Sequence, residues 1–148
     1  MEWTKNKSIQ LTQVFLLVFA LALLGTDIFA FRLIPWYLTV RHLEQFTVPM
    51  TVTLYAASVF GWVFLWYMWR LLANLSAGSV FVAENVRALR IVSWCCAGAA
   101  AVFFASGFYY FPFFLLAAAG AFMMLIVRIV KNILQKAEEM KSELDLTV

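Results

Sequence analysis

The segment FFLLAAAGAFMMLIV, residues 113–127, contains no charged side chain and no polar one. A second segment, VFLLVFALALLG at residues 14–25, likewise contains no charged and no polar side chain. Continuous apolar runs of this length lack the alternation of a bilayer β-strand, and they predict helices. Hydrophobic residues make up 65% of the 148 residues and charged residues 13%, so a water-soluble fold could not bury this much apolar surface. Lipid is the expected solvent for most of the chain.

Four apolar segments are long enough to cross a bilayer. They cover about residues 9–34, 48–72, 91–108 and 113–130. At about 1.5 Å rise per residue, even an 18-residue helix reaches roughly 27 Å, close to the ~30 Å hydrocarbon thickness. The sequence therefore predicts an all-α membrane protein, with one domain of four transmembrane helices over residues 1–148, a connecting loop at 73–90 and a tail at 131–148.

The distribution of basic residues predicts the orientation. Four spans place nine of the eleven Lys and Arg residues on one side, with Arg32 and Arg41 on the other. Because cytoplasmic segments carry this excess, both termini, the loop and the tail are expected in the cytoplasm. Aromatic residues mark both predicted interfaces: Trp36, Tyr37, Tyr109 and Tyr110 outside, and Tyr67, Trp69 and Trp94 inside. The net charge of +3 then reflects topology and anionic lipid, and direct nucleic-acid binding is not expected.

The loop NLSAGSVFVAENVRALR, residues 74–90, is the longest interior stretch that mixes polar and charged residues with glycine. Gly78 can adopt the left-handed conformation that ends a helix, and Glu84 opens an amphipathic turn before the third span. One interpretation is a capped connector whose arginines fix the topology. The other is a docking surface for a cytoplasmic partner. Its candidate residues are Phe81, Glu84, Asn85, Arg87 and Arg90, together with Asp145 in the tail.

A family resemblance is carried by this loop and by the last four residues. Gly78, Phe81, Glu84, Asn85, Val86, Leu89 and Arg90 form a pattern that resembles the loop signature of the bacterial membrane-protein family called domain of unknown function 2975. The ending Asp-Leu-Thr-Val, residues 145–148, is similar to the acidic tail of that family. Two positions depart from the family pattern. Val82 replaces a frequent Thr or Ser, so a side-chain cap is expected to be missing there, and Leu144 replaces a frequent Asn.

The resemblance implies an integral protein of the bacterial inner membrane with no established activity. Members are frequently encoded beside a small helix-turn-helix regulator, which is therefore the expected soluble partner. Within the chain, no motif for a catalytic, cofactor-binding or metal site is recognisable, and an enzyme is not expected. His42 stands alone in the outer loop as a surface residue, and the adjacent Cys95 and Cys96 are expected to pack as small apolar residues.

The C-terminal segment contains a heptad-like pattern. Its apolar residues recur at spacings of 4, 3, 4, 3 and 4, at Ile126, Val130, Ile133, Ala137, Met140 and Leu144. This pattern predicts that the fourth helix continues into the cytoplasm as an amphipathic extension. The extension could lie on the inner leaflet or under the loop at 74–90. It could instead bind a partner or a second copy of the chain in a homo-oligomer.

Small residues predict close packing of the last two spans. Alanines recur every fourth residue at Ala97, Ala101 and Ala105, and again at Ala117 and Ala121. Such faces allow helix backbones to approach closely in lipid. A short link separates the two spans, so a tight antiparallel hairpin is expected.

Asp27 is the only acidic residue inside a predicted span. Acids inside membranes are rare and frequently functional. However, Asp27 follows Ile9 by 18 residues, roughly 27 Å along a helix, which predicts a position near the outer interface. Arg32 is about 140° around the helix and is a poor partner. Both an interfacial polar residue and a functional carboxylate remain open.

Two functions follow from these observations. The first is a regulatory or interaction protein whose cytoplasmic loop and tail bind a soluble partner, such as the small helix-turn-helix regulator. The alternative is a small transport or envelope-protection protein that depends on Asp27.

Overall fold

The structure, a computed structural model, describes residues 2–80 and 82–147, with side chains for residues 6–80 and 82–146. It consists of four long helices, α1 (Glu2–Val40), α2 (Thr47–Ser76), α3 (Ala83–Gly107) and α4 (Phe113–Thr147), with a 3₁₀ turn at Glu44–Phe46. Each helix is long and apolar enough to cross a membrane by length and composition. The all-helical fold class, with four helices long and apolar enough to span a membrane, is therefore confirmed. The side of the membrane that holds the termini stays a prediction.

The helices extend beyond the apolar segments that predicted them. α1 continues through Pro35 to Val40, and α4 continues without a break to Thr147. The tail is rich in Lys, Glu, Gln, Met and Leu, which have high helix propensity, so the helix does not end where apolar residues give way to charged ones. A 35-residue helix is about 52 Å long, well over the thickness of the hydrocarbon core.

The four helices form an open layer. Among the described residues, backbones approach closely only between consecutive helices: α1 with α2, α2 with α3, and α3 with α4. α1 and α4 therefore lie at the two edges, and the backbone of each closely approaches that of one neighbouring helix. The Phe113 side chain of α4 also packs against a cluster that Ala30, Ile34 and Leu38 of α1 form with Met50 of α2. Two ends of the layer are used as references below. The terminal end holds Glu2, the α2–α3 loop and Thr147, and the opposite end holds residues 41–46 and 108–112.

The most extensive helix contact joins α3 and α4, which confirms the predicted hairpin. Near the middle of α3, a Cβ on Gly120 would lie 3.1 Å from the Ala100 Cβ and 3.4 Å from the Ala100 Cα. Ala117 is also buried. The predicted alanine stripe on α3 is wrong in part, because Ala101 and Ala105 are exposed. Three of the buried small residues of α3 are spaced by seven, at Ser93, Ala100 and Gly107.

One face of α4 packs against α3. Its buried or half-buried positions recur at spacings of 3 and 4: Ala117, Gly120, Met124, Val127, Lys131, Leu134 and Glu138. This periodicity is the one expected where two helices meet along a narrow seam. The heptad pattern predicted from the sequence lies on another face, where Ile126, Val130, Ile133 and Met140 are all exposed. α4 therefore has two heptad-spaced faces, and α3 covers only one of them.

Hydroxyl groups connect the helices at the opposite end. The hydroxyls of Tyr37 and Tyr110 are 2.7 Å apart, and the Thr53 hydroxyl lies 2.6 Å from those of both Ser106 and Tyr109. The hydrogen bond to Tyr37, with a contribution from burial, raises the pKa of Tyr110 above its ordinary value. The three tyrosines predicted for the outer aromatic belt, Tyr37, Tyr109 and Tyr110, therefore all lie at the opposite end.

We expect Gly120→Val to destabilise the protein. The added side chain would press on the Ala100 backbone, and overpacking of this kind costs about 1–3 kcal/mol. Thermal unfolding in detergent, followed by circular dichroism, measures the change. Ala119→Val is the matched control because Ala119 is exposed. Equal melting temperatures for the two variants would contradict the close approach of α3 and α4.

Candidate functional site

The α2–α3 loop begins with a helix-ending motif. Gly78 has φ +85°, which confirms the left-handed conformation expected of it. The Ser79 amide donates to the Asn74 carbonyl at 2.9 Å, and the Gly78 amide donates to the Leu75 carbonyl at 3.2 Å. These two bonds define a Schellman cap, which satisfies carbonyls that the end of α2 would otherwise leave without a partner.

Asn85 occupies the centre of the loop. Its side chain is 0% exposed, and its amide group donates to the carbonyls of Ser79 at 2.7 Å and Val80 at 2.9 Å. Its side-chain oxygen accepts a bond from the Asn74 amide at 2.9 Å. Val82 has extended backbone at the helix N-cap and makes no side-chain cap, as its position in the sequence predicts. Asn85 thus supplies the polar contacts that link this loop to the end of α2.

The burial of Asn85 corrects its assignment as a docking residue. Its polar atoms bond to the chain itself, and no part of the side chain is exposed to a partner. The physical reason is that two loop carbonyls need donors, which Val82 cannot supply from its side chain. Val86 and Leu89 are also buried. Of the candidate docking residues in the described part of the loop, Glu84, Arg87 and Arg90 are exposed.

Glu84 and Arg87 belong to a small polar cleft. The Arg70 Nη2 atom is 2.6 Å from the Glu84 Oε1 atom, and both side chains are about half exposed, at 52% and 53%. An ion pair with this exposure is worth about 0–1 kcal/mol. The cleft has a volume of about 250 Å³ and is lined by Tyr67, Arg70, Asn74, Glu84, Arg87 and Ala88. The predicted docking residues Glu84 and Arg87 are therefore neighbours in space.

The other candidate docking residues are not joined to this cleft. Arg90 is exposed one turn further along α3. Asp145 is exposed near the end of α4, and no described hydrogen bond or ion pair links it to the loop. Phe81 lies outside the described residues. Loop and tail thus share the terminal end without forming one continuous contact surface in the described part of the chain.

We expect Asn85→Ala to open the loop locally. The variant leaves the Ser79 and Val80 carbonyls and the Asn74 amide without their donor or acceptor, at a cost of about 2–3 kcal/mol. Hydrogen exchange of the amides of residues 76–86 should accelerate by roughly 30-fold to 100-fold. Asn132→Ala, at an exposed asparagine of α4, is the control. Unchanged exchange in the Asn85 variant would contradict the assigned structural role.

A second polar site surrounds Asp27 between α1 and α2. The Ser58 hydroxyl donates to Asp27 Oδ1 at 2.5 Å, and the Trp62 indole N–H donates to Asp27 Oδ2 at 2.9 Å. The Tyr55 hydroxyl donates to the backbone carbonyl of Asp27 at 3.1 Å. Tyr55, Ser58 and Trp62 are spaced by three and four residues, so they lie on one face of α2.

Asp27 lies further from the helix ends than the sequence predicts. α1 continues for 13 residues after it, about 20 Å, because the helix does not stop at Pro35. Its partner Ser58 is 11 residues after the start of α2, about 17 Å, and 18 residues before its end. The carboxylate is half-buried. No basic side chain among the described residues pairs with it, and Arg32 is exposed on α1.

The other residues considered in the sequence analysis are His42, Cys95 and Cys96. Within the part of the chain that the structure describes, no group of three or more His, Cys, Asp or Glu residues could hold a metal ion. His42 is exposed and has φ +56° in the turn after α1. Cys95 is buried and Cys96 half-buried on α3, both as free thiols, which agrees with their expected use in packing.

Sequence reasoning missed the residues that bind Asp27. The sequence contained a signal for them. One face of the second predicted span carries side chains that can donate hydrogen bonds, and Tyr55, Ser58 and Trp62 are among them. What the sequence does not contain is the register of α1 against α2, which decides whether this face meets Asp27. Sequence reasoning also missed Asn74 as a partner of Asn85, because the conformation of the α2–α3 loop decides whether these two side chains meet.

Four apolar helices of this length are typical of a multi-pass membrane protein. The family model described as protein of unknown function, DUF2975, matches residues 38–148, which are 111 of the 148 residues. The chain belongs to that family, which confirms the resemblance seen in the loop and the tail. No curated protein and no solved structure matches the chain. The match begins near the end of α1, so Asp27 precedes it, whereas Tyr55, Ser58 and Trp62 lie within it.

Proposed function

We propose that the protein is a membrane-anchored regulatory protein that holds a soluble helical partner along α4. The binding surface, here called the α4 seam, comprises Ile126, Val130, Ile133, Ala137, Met140 and Leu144. The observation that carries the proposal is the exposure of every seam residue except the half-buried Ala137, beside a second face that α3 covers. Ile126, Val130, Ile133 and Met140 are 39%, 47%, 65% and 59% exposed.

Part of the α4 seam extends past the level of the basic residues that mark the predicted interface. Ile133 and Met140 follow Lys131, and α4 continues as a regular helix beyond them. In lipid an exposed Ile or Met has no cost, but in water full burial of such a side chain is worth about 1.5–3 kcal/mol. A partner helix that covers these residues would gain this free energy. The exposed seam therefore favours a partner outside the hydrocarbon core.

Charges beside the α4 seam favour a different protein over a second copy of this chain. With Ala137 and Met140 at core positions, Lys136 and Lys141 occupy the flanking g and e positions. Two copies in one membrane have the same orientation and would pair in parallel. Lys136 of one copy would then face Lys141 of the other, and like charges at these positions disfavour pairing. A partner helix with acidic flanking residues would complement both lysines.

The proposed partner is the small helix-turn-helix regulator that the family resemblance implies. Holding it at the membrane would keep it from its DNA, with no contact between this chain and nucleic acid. The proposal places both termini in the cytoplasm of a bacterial cell. Its support is the basic character of the terminal end, where Arg70, Arg87, Arg90 and Lys131 lie near one another in depth.

The α4 seam is tested by pull-down of the regulator on the full-length protein in nanodiscs. Ile133→Asp combined with Met140→Asp should weaken binding by roughly 100-fold or more, because buried anchors of an interface often contribute about 2 kcal/mol each. The control adds the same two charges away from the seam, as Asn132→Asp with Ser142→Asp, at exposed positions. Binding should survive in the control. Full binding by the seam variant would contradict the proposal, and no binding by the wild-type protein would exclude this regulator as the partner.

The flanking lysines provide a separate test of partner charge. Lys136→Glu combined with Lys141→Glu should weaken binding of an acidic-flanked partner, with the larger effect at low salt. Lys136→Arg with Lys141→Arg keeps the charge and should bind normally. Stronger binding by the glutamate variant would indicate a partner of opposite character.

A small transport or envelope-protection protein is the second candidate function. The observation in its favour is the Asp27 carboxyl group, which accepts hydrogen bonds from Ser58 and Trp62 at a position away from the ends of α1 and α2. Asp27→Asn should then abolish the transport or resistance phenotype. An unaltered phenotype would leave this candidate without a mechanism.

A further inference from the structure

The Asp27 carboxyl group has no positively charged partner among the described residues. Each carboxylate oxygen accepts one hydrogen bond, from Ser58 and from Trp62. Both donors are neutral, so they stabilise the ionised carboxylate but do not cancel its charge. No Lys, Arg or His among the described residues forms an ion pair with it. A carboxylate in hydrocarbon is costly unless a cation pairs with it, and such residues mark binding sites for ions or charged ligands.

A groove that contains three tryptophans shares one residue, Trp62, with the Asp27 site. Trp62, Trp66 and Trp69 on α2 line a cavity of about 250 Å³ together with Leu16, Leu17 and Ala20 on α1 and Leu65 on α2. The tryptophans are spaced by four and three residues, so they follow one face of α2 over about 10 Å. Trp62 belongs to both features, because its ring lines the groove and its N–H bonds to Asp27. On α1 the last residue that lines the groove is Ala20, seven residues or about 10 Å along the helix before Asp27, so Trp62 is the side chain that connects the groove to the acid.

The chemistry of the groove selects one class of ligand. Aromatic ring faces attract cations, and tryptophan is the strongest of them. Apolar walls favour a ligand with apolar substituents, whereas a small hydrated ion would lose its water without gaining a set of oxygen ligands. The described residues contain no second acid near Asp27 that could complete a metal site. We infer that the groove between α1 and α2 binds an apolar organic cation, such as a quaternary ammonium or phosphonium, with its charge directed at Asp27.

This inference does not depend on the α4 seam, which lies at the other edge of the helix layer. If the protein has the second candidate function, transport or envelope protection, the inference names apolar organic cations as its ligand class. The two ideas can fail separately, because the variants that test them are on different helices and one readout is partner capture, whereas the other is small-molecule binding.

Binding of methyltriphenylphosphonium to the purified full-length protein in nanodiscs tests the inference. Isothermal titration calorimetry should show saturable binding to the wild-type protein. Asp27→Asn should weaken it about tenfold or more, because the carboxyl group that Trp62 connects to the groove is lost. Glu84→Gln removes one carboxylate from an exposed ion pair elsewhere and should change the affinity by less than about twofold.

The aromatic part of the site has its own variant pair. Trp66→Leu should weaken binding by roughly threefold to tenfold, the range expected for one cation–π contact. Trp36→Leu changes an exposed tryptophan outside the groove and should have no effect. These variants leave Asp27 and its hydrogen bonds intact, so they decide the question even where Asp27→Asn fails to fold, which its melting temperature reveals.

A neutral competitor separates charge recognition from simple partitioning of an apolar molecule. Methyltriphenylsilane has nearly the shape of the phosphonium without its charge, and it should not displace the cation. Equal affinity of the wild-type protein and a folded Asp27→Asn variant would overturn the inference. Displacement by the silane, or equal binding by the Trp66 and Trp36 variants, would overturn it as well.

Discussion

The structure depends on one constraint, which is that a backbone in hydrocarbon must pair its N–H and C=O groups within the chain. Long uninterrupted helices satisfy this constraint segment by segment, and each needs little help from its neighbours. Because lipid covers apolar side chains as well as protein does, the helices need not enclose a common core. This explains how the chain can form an open layer in which the backbone of each helix closely approaches only those of its neighbours in sequence. The exposed apolar side chains are then the expected consequence.

Polar contacts become important where the helices must be held in a defined register. Asn85 fixes the turn between α2 and α3, and hydroxyl pairs join the helices at the opposite end. Asp27 joins α1 to α2, and α1 has no other neighbouring helix within close backbone distance. α1 is an edge helix that an acidic side chain joins to its neighbour, and the same acidic side chain can also attract a ligand. Structural and binding roles for Asp27 are therefore compatible.

Sequence patterns predicted most of the fold and less of the sites. Apolar length was enough for four helices, and Gly78 marked the end of α2, because both depend on local chemistry. The heptad pattern after Ile126 was visible, but its exposure was not, since a periodic face does not reveal which neighbour covers it. Asn85 was misassigned because a polar loop residue looks the same whether it serves a partner or the chain's own carbonyls. The groups around Asp27 depend on the register between two helices, which no single segment encodes.

The central claim is that α4 presents two faces with different roles, one covered by α3 and one open to a partner. Ile133 and Leu134 are adjacent, similar in size and on these two faces, with Ile133 exposed and Leu134 half-buried. The most direct measurement is maleimide labelling of Ile133→Cys and Leu134→Cys, each with Cys95 and Cys96 replaced by Ala, in inside-out membrane vesicles. The account predicts fast labelling at position 133, slow labelling at 134, and protection of 133 alone when the regulator is added. Equal labelling at both positions, or protection of neither by any concentration of the regulator, would contradict it.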